Sequence, residues 1–195
     1  MASDTRDRLI RTTSRLLRKQ GYAATGLNQV MAEAEAPKGS MYFHFPGGKE
    51  ELAAAALDRF SGRVGEAMAA TLASSPSVEE AVVRMFDDQI AWLERTDFTE
   101  GCAVAAVALD SAGEHPALAA ATERGLAGWL DLFTSALEGE GRPADEARRL
   151  ASLIVVALEG IVVMGKGMQS TEAIAAARDA LRALLASGTP VRSER

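Results

Sequence analysis

Thr25-Gly26-Leu27-Asn28-Gln29-Val30-Met31-Ala32-Glu33-Ala34-Glu35-Ala36-Pro37-Lys38-Gly39-Ser40-Met41-Tyr42-Phe43-His44-Phe45-Pro46-Gly47-Gly48-Lys49-Glu50 is the stretch on which the fold turns. Leu27, Val30, Met31 and Ala34 recur three and four apart, the spacing of one apolar helix face. Thr25 stands just before them, where a hydroxyl can cap free amides. Glu35-Ala36 interrupts the pattern. Pro37 suits the first position of a second helix, because its ring presets φ and its missing N–H is not needed there. That helix is expected over 37–44, with Pro46-Gly47-Gly48 ending it. Two short helices across a turn of small residues form a helix-turn-helix, whose second helix enters the major groove of DNA.

The second helix carries suitable chemistry. Lys38 falls in its first turn, where recognition helices touch bases or phosphates. Gly39 leaves the backbone bare, so it can approach DNA closely. Ser40, Tyr42 and His44 alternate with Met41, Phe43 and Phe45. Ser and Tyr hydroxyls commonly hold phosphate oxygens, which sets register without reading sequence. Lys49 opens the next helix, where free amides already favour an anion. Double-stranded DNA is thus the expected partner.

Working outward, residues 5–20 read as a first helix, with Leu9, Ile10, Thr13, Leu16 and Leu17 on one face. Arg8, Arg11, Arg15 and Arg18 line another face, as solvated charges or as phosphate contacts. Tyr22, after Gly21, reads as core. The chain has 195 residues and a formal net charge of −6, which at first argues against nucleic acid. The distribution reverses that. Residues 1–50 hold eight Lys/Arg against five Asp/Glu, a net of +3, and the remainder holds 13 against 22, a net of −9. A basic end on an acidic body fits a nucleic-acid-facing part.

With 48% hydrophobic and 25% charged residues, the composition is that of a soluble globular protein. No apolar leader opens the chain, and a single cysteine, Cys102, fits a reducing cytoplasm. Long helices are expected over 49–73, 116–138, 144–167 and 171–187. A helix from Val78 opens on the capping box Ser77-Val78-Glu79-Glu80, and a small-residue helix covers 103–112. Between Leu150 and Met164 the sequence is apolar nearly all round. That run is too short, and too interrupted by Ser152 and Glu159, for a membrane span, and points to burial on several sides. The fold class is all-α, about nine helices, with a DNA-binding part at 1–48 and a body at 49–195.

There is no phosphate-binding Gly-rich loop, catalytic triad or metal-ligand cluster, and two His with one Cys cannot fill a four-ligand zinc site. No cofactor is expected. Two other classes stay open: an architectural DNA binder without a ligand, and an all-α enzyme with a cavity near Gln89 and Cys102.

Gly21-Tyr22, Thr25, Pro37-Lys38-Gly39-Ser40-Met41-Tyr42-Phe43-His44-Phe45 and Lys49-Glu50-Glu51-Leu52 resemble the tetracycline-repressor (TetR) family of transcriptional regulators. Gly26-Leu27-Asn28, Phe45-Pro46-Gly47-Gly48-Lys49-Glu50 and Gly101-Cys102 look like its LmrA/YxaF-like subgroup, repressors of drug-efflux genes. The resemblance implies DNA contacts from Thr25, Asn28, Lys38, Gly39, Ser40, Tyr42, His44 and Lys49. It implies a homodimeric repressor on a palindromic operator, released by a small hydrophobic inducer. The apolar residues available for an inducer pocket are Phe60, Met85, Trp92, Cys102, Trp129, Phe133 and Met164, with Gln89 as a polar contact. Each of them could equally be ordinary core. The dimer is expected through Ala157, Gly160, Ile161, Ala177 and Leu181 of the last two helices.

Overall fold

Leu9, Ile10, Leu16 and Leu17 bury one stripe of an N-terminal helix. In the computed structural model, residues 2–37, 39–110 and 113–187 are described. Among them run nine α-helices and no strand: α1 Ala2–Gln20, α2 Leu27–Glu33, α3 Ser40–His44, α4 Gly48–Ser74, α5 Val78–Arg95, α6 Ala103–Asp110, α7 Pro116–Gly139, α8 Ala144–Met168 and α9 Glu172–Ala186. α4, α7, α8 and α9 match the expected spans to within one residue at each end, and α1 begins three residues earlier than expected. The last expected residues of α6, 111–112, and the tail at 188–195 lie outside the described residues.

The helices fall into two compact units, residues 1–64 with 100–126 and residues 65–99 with 127–195. This division differs from the expected one at residue 48. The reason is local to the first unit, where α6 packs directly on α1. Gly101 N–H donates to Arg18 O at 3.0 Å, and the Arg18 guanidinium pairs with Glu100. Val104 and Val107 of α6 are buried in this unit, as are Leu52, Ala56 and Leu57 of α4. Gly125 of α7 passes so close to α4 that an added Cβ would stand 2.8 Å from Ser61 Cβ, so only glycine fits that crossing.

The second unit is built on α5, α8 and α9. Ser77 caps α5 as expected, its Oγ accepting from Glu80 N–H, and Glu140 accepts from the next free amide, that of Val78. Val78, Val82, Met85, Phe86 and Leu93 form the buried stripe of α5. On the rim of the unit, Arg178 and Arg182 of α9 pair with Asp87 and Glu79 of α5.

Two expectations about α8 are corrected here. At 25 residues it is long and apolar enough to cross a membrane by length and composition, so shortness is no argument. What marks it as a core helix is its packing against α5 and α9, with Ala151, Ile154, Leu158 and Ile161 buried. Second, Ile161 and Leu181, expected at a dimer interface, are 2% and 5% exposed within the protomer itself. The apolar residues that α8 and α9 leave outside are Leu153, Val156, Val163, Met164, Met168 and Leu184. A helix apolar on all sides has no periodicity to reveal which face turns inward.

Candidate nucleic-acid interface

The turn between α2 and α3 begins with a reversal at Glu35, in the left-handed region at φ 50°. Ala36 N–H bonds Met31 O at 3.0 Å and Glu35 N–H bonds Ala32 O at 3.2 Å, the paired bonds of a Schellman ending. The chain leaves α2 sharply enough to bring Pro37 to the head of the next element. There the expected start of the second helix is corrected. Ser40 N–H and Ser40 Oγ both donate to Pro37 O, at 2.9 and 2.7 Å, ahead of the helix. α3 is therefore the five residues Ser40–His44. Met41 and Phe45 face inward and are fully buried, while Tyr42 and Phe43 point to solvent.

Thr25 is also corrected. Its hydroxyl donates backwards to Gly21 O at 2.5 Å, and the residue is 2% exposed. Gly26 holds the N-cap position of α2 with no side-chain cap. Thr25 thus closes the turn after α1, and its hydroxyl is not presented to a phosphate. Asn28 is exposed in the first turn of α2, Gly39 is exposed with open space around it, and His44 is half-buried against the Phe43 ring. Lys38 lies outside the described residues.

Lys49 is held in place. Its Nζ sits 4.1 Å from the centre of the Tyr22 ring and 3.5 Å from Ala23 O. Burial pulls its pKa below the ordinary lysine value, partly offset by the Asp110 carboxylate. Burial likewise pushes Tyr22 up, helped by Glu50 and Asp110. These neighbours were missed in the sequence. Asp110, at the end of α6, accepts from Tyr22 and Ala23 N–H at 2.7 and 3.1 Å. Glu50 accepts from Ala117 N–H at the start of α7 and lies 3.3 Å from His115 Nδ1, whose ring stands edge-on to Tyr22. No local pattern ties residue 110 to residue 22, so these contacts left no signal in the sequence.

The arginine stripe of α1 resolves toward internal pairing. Arg8 bonds Asp4 and Ala34 O, Arg11 bonds Asp7, Arg15 bonds Glu33, and Arg18 lies over Phe60. The expected pocket residues divide between the units. Phe60 and Cys102 belong to the first. Met85, Gln89, Trp92, Trp129, Phe133 and Met164 belong to the second. Of the latter, Met85, Trp129 and Phe133 are buried, Gln89 and Trp92 are half-buried, and Met164 is exposed, turned away from the unit's core. A cleft in this unit runs along Val78, Leu137, Glu140, Arg142 and Leu185, lined by none of them.

Residues 9–56 match the profile described as bacterial regulatory proteins of the tetR family, and residues 78–180 match the LmrA/YxaF-like transcriptional regulator C-terminal domain. The chain belongs to the TetR family. The HTH-type transcriptional regulator YxaF of Bacillus subtilis is 33% identical over 162 residues, covering 83% of this chain and 84% of that one. A TetR-family regulator from Cytophaga hutchinsonii has the same fold, with a TM-score of 0.85 at 19% identity over 98% of each chain. The TetR regulator CifR, as a cysteine mutant complexed with 26-base-pair double-strand operator DNA, aligns with a TM-score of 0.76 and 25% identity, over 91% of this chain and 95% of that one. This TetR-family chain is accordingly a DNA-binding transcriptional regulator, and its helix-turn-helix is the segment from α2 to α3.

Proposed function

We propose that the protein is a homodimeric cytoplasmic repressor that binds a palindromic operator and is released by a small hydrophobic ligand. The observation that carries this reading is the division of α3 into a buried face, Met41 and Phe45, and a projecting face, Tyr42 and Phe43. A helix anchored on one side and open on the other can enter a groove without unfolding its support. Tyr42, Ser40, His44, Lys49, Lys38 and Asn28 are the proposed contacts to the DNA. The half-buried Gln89 and Trp92 of α5 are the proposed ligand contacts in the second unit. By linkage, whatever factor a ligand removes from operator affinity, operator DNA removes from ligand affinity.

Lys49→Gln should weaken binding to every DNA sequence alike and lower the slope of log affinity against log salt by about 0.9 per half-site. Tyr42→Phe should weaken binding without changing that slope. Both are read by fluorescence anisotropy across a salt series. A Lys49→Gln slope equal to that of the unmodified protein would remove Lys49 from the contact set.

The proposed dimer uses the outer stripe of α8. Leu153, Val156, Gly160, Val163 and Gly167 recur three and four apart, and among the described residues nothing outside the helix's own backbone stands within 4 Å of a Cβ placed on Gly160 or Gly167. Bare glycines beside exposed apolar residues let a second copy approach closely, and a two-fold contact uses the stripe twice. Val156 is 69% exposed, so Val156→Asp leaves the protomer intact but buries a carboxylate in the dimer. Sedimentation should show a dimer for the unmodified protein and a monomer for this variant at micromolar concentration. An unmodified protein that sediments as a monomer would refute the assignment.

A further inference from the structure

Phe43 is 76% exposed, and its place on α3 is specific. At roughly 100° per residue, the midpoint between the buried Met41 and Phe45 lies about 180° round the helix from Phe43. The ring therefore projects from the centre of the outward face. Gly39, four residues before it, has no side chain to crowd it, and among the described residues beyond its chain neighbours no atom stands within 4 Å of a Cβ built there. Tyr42 flanks it on the same side. A phenyl ring can neither donate nor accept a hydrogen bond, so it can neither bond a phosphate nor read the polar edge of a base. In the major groove, the apolar group that base edges offer is the C5-methyl of thymine.

We propose that Phe43 reads a 5-methylpyrimidine, thymine in each half-site, by packing its ring against the C5-methyl group. The proposal rests on α3 being the groove-entering helix. It makes Phe43 a specificity-determining residue, whereas the hydroxyls and amines beside it set register.

The probe is a duplex selected with this protein from a randomised library, in which each thymine is replaced in turn by deoxyuridine, removing one methyl and nothing else. At one thymine per half-site the substitution should weaken binding roughly fourfold, the worth of one buried methyl. Cytosine and 5-methylcytosine at that position should differ by a similar factor. Phe43→Ala should bind the thymine and uracil duplexes equally, and Phe43→Leu, which keeps an apolar contact, should retain part of the preference. Because the side chain is exposed, both variants should keep the circular dichroism melt of the unmodified protein. If no single uracil substitution weakens binding, or if Phe43→Ala weakens all duplexes alike and leaves the thymine preference in place, the methyl reading is overturned while DNA binding stands. If no duplex is recovered even at low salt, the groove-entering role of α3 falls with it.

Discussion

Gly21→Ala should cost about 3 kcal/mol of stability, a large effect for the addition of one methyl group. Two physical costs combine. Gly21 holds φ at 73°, a conformation an L-residue adopts at roughly 1–2 kcal/mol. A Cβ there would also stand 2.4 Å from Asp110 Oδ2, the same oxygen that accepts from Tyr22 and Ala23 N–H. The carboxylate must move, and displacing hydrogen bonds to a charged acceptor costs about 1.5 kcal/mol or more. A double-mutant cycle separates the two costs. In an Asp110→Ala background the clash is gone, so Gly21→Ala should cost only the conformational part, about 1–2 kcal/mol. Denaturant unfolding at a fixed protein concentration measures all four corners. A Gly21→Ala cost that is the same with and without Asp110 would show that the close approach has no energetic weight.

This junction also shows where sequence reasoning stops. The existence and length of the helices were legible, because apolar residues at three- and four-residue spacing survive as buried stripes: Leu9 to Leu17 in α1, Val78 to Leu93 in α5. Alternation in the sequence grouped Met41, Phe43 and Phe45 together, whereas the helix buries Met41 and Phe45 and leaves Phe43 outside. Other features depend on a bond that competes with the local pattern. Pro37 suits a helix start, but Ser40 donates twice to its carbonyl and the helix begins three residues later. Thr25 suits a cap, but Gly21 O lies within reach of its hydroxyl, and the residue is buried instead. The Asp110 and His115 contacts span 88 and 65 positions, and no spacing rule reaches across that distance. For α8, the inward choice of Ile161 over Val156 is a tertiary result. Both are β-branched and apolar, and only the packing against α5 and α9 separates them.

Phe45→Ala should cost about 3–5 kcal/mol, the usual range for emptying a fully buried phenyl site. The ring closes α3 as its C-cap residue and lies 5.2 Å beneath the Arg6 guanidinium, so the substitution also removes a cation–π contact. Phe86→Ala is the matched control. Its ring is equally buried, but in the second unit, and its removal should cost about the same by the same rule. The two variants should part company on DNA. α3 has five residues, too few to hold its own helix in water, and it depends on Met41 and Phe45 for its position. Apparent affinity scales with the fraction of molecules whose binding helix is in place. At a temperature where circular dichroism shows both variants still helical, Phe45→Ala should therefore lose operator affinity roughly tenfold or more, equivalent to about 1.4 kcal/mol of local opening. Phe86→Ala should bind within about twofold of the unmodified protein under the same conditions. Equal operator affinity for the two variants would mean that α3 does not need its buried anchor to bind, and the account of how this helix is presented to DNA would have to be abandoned.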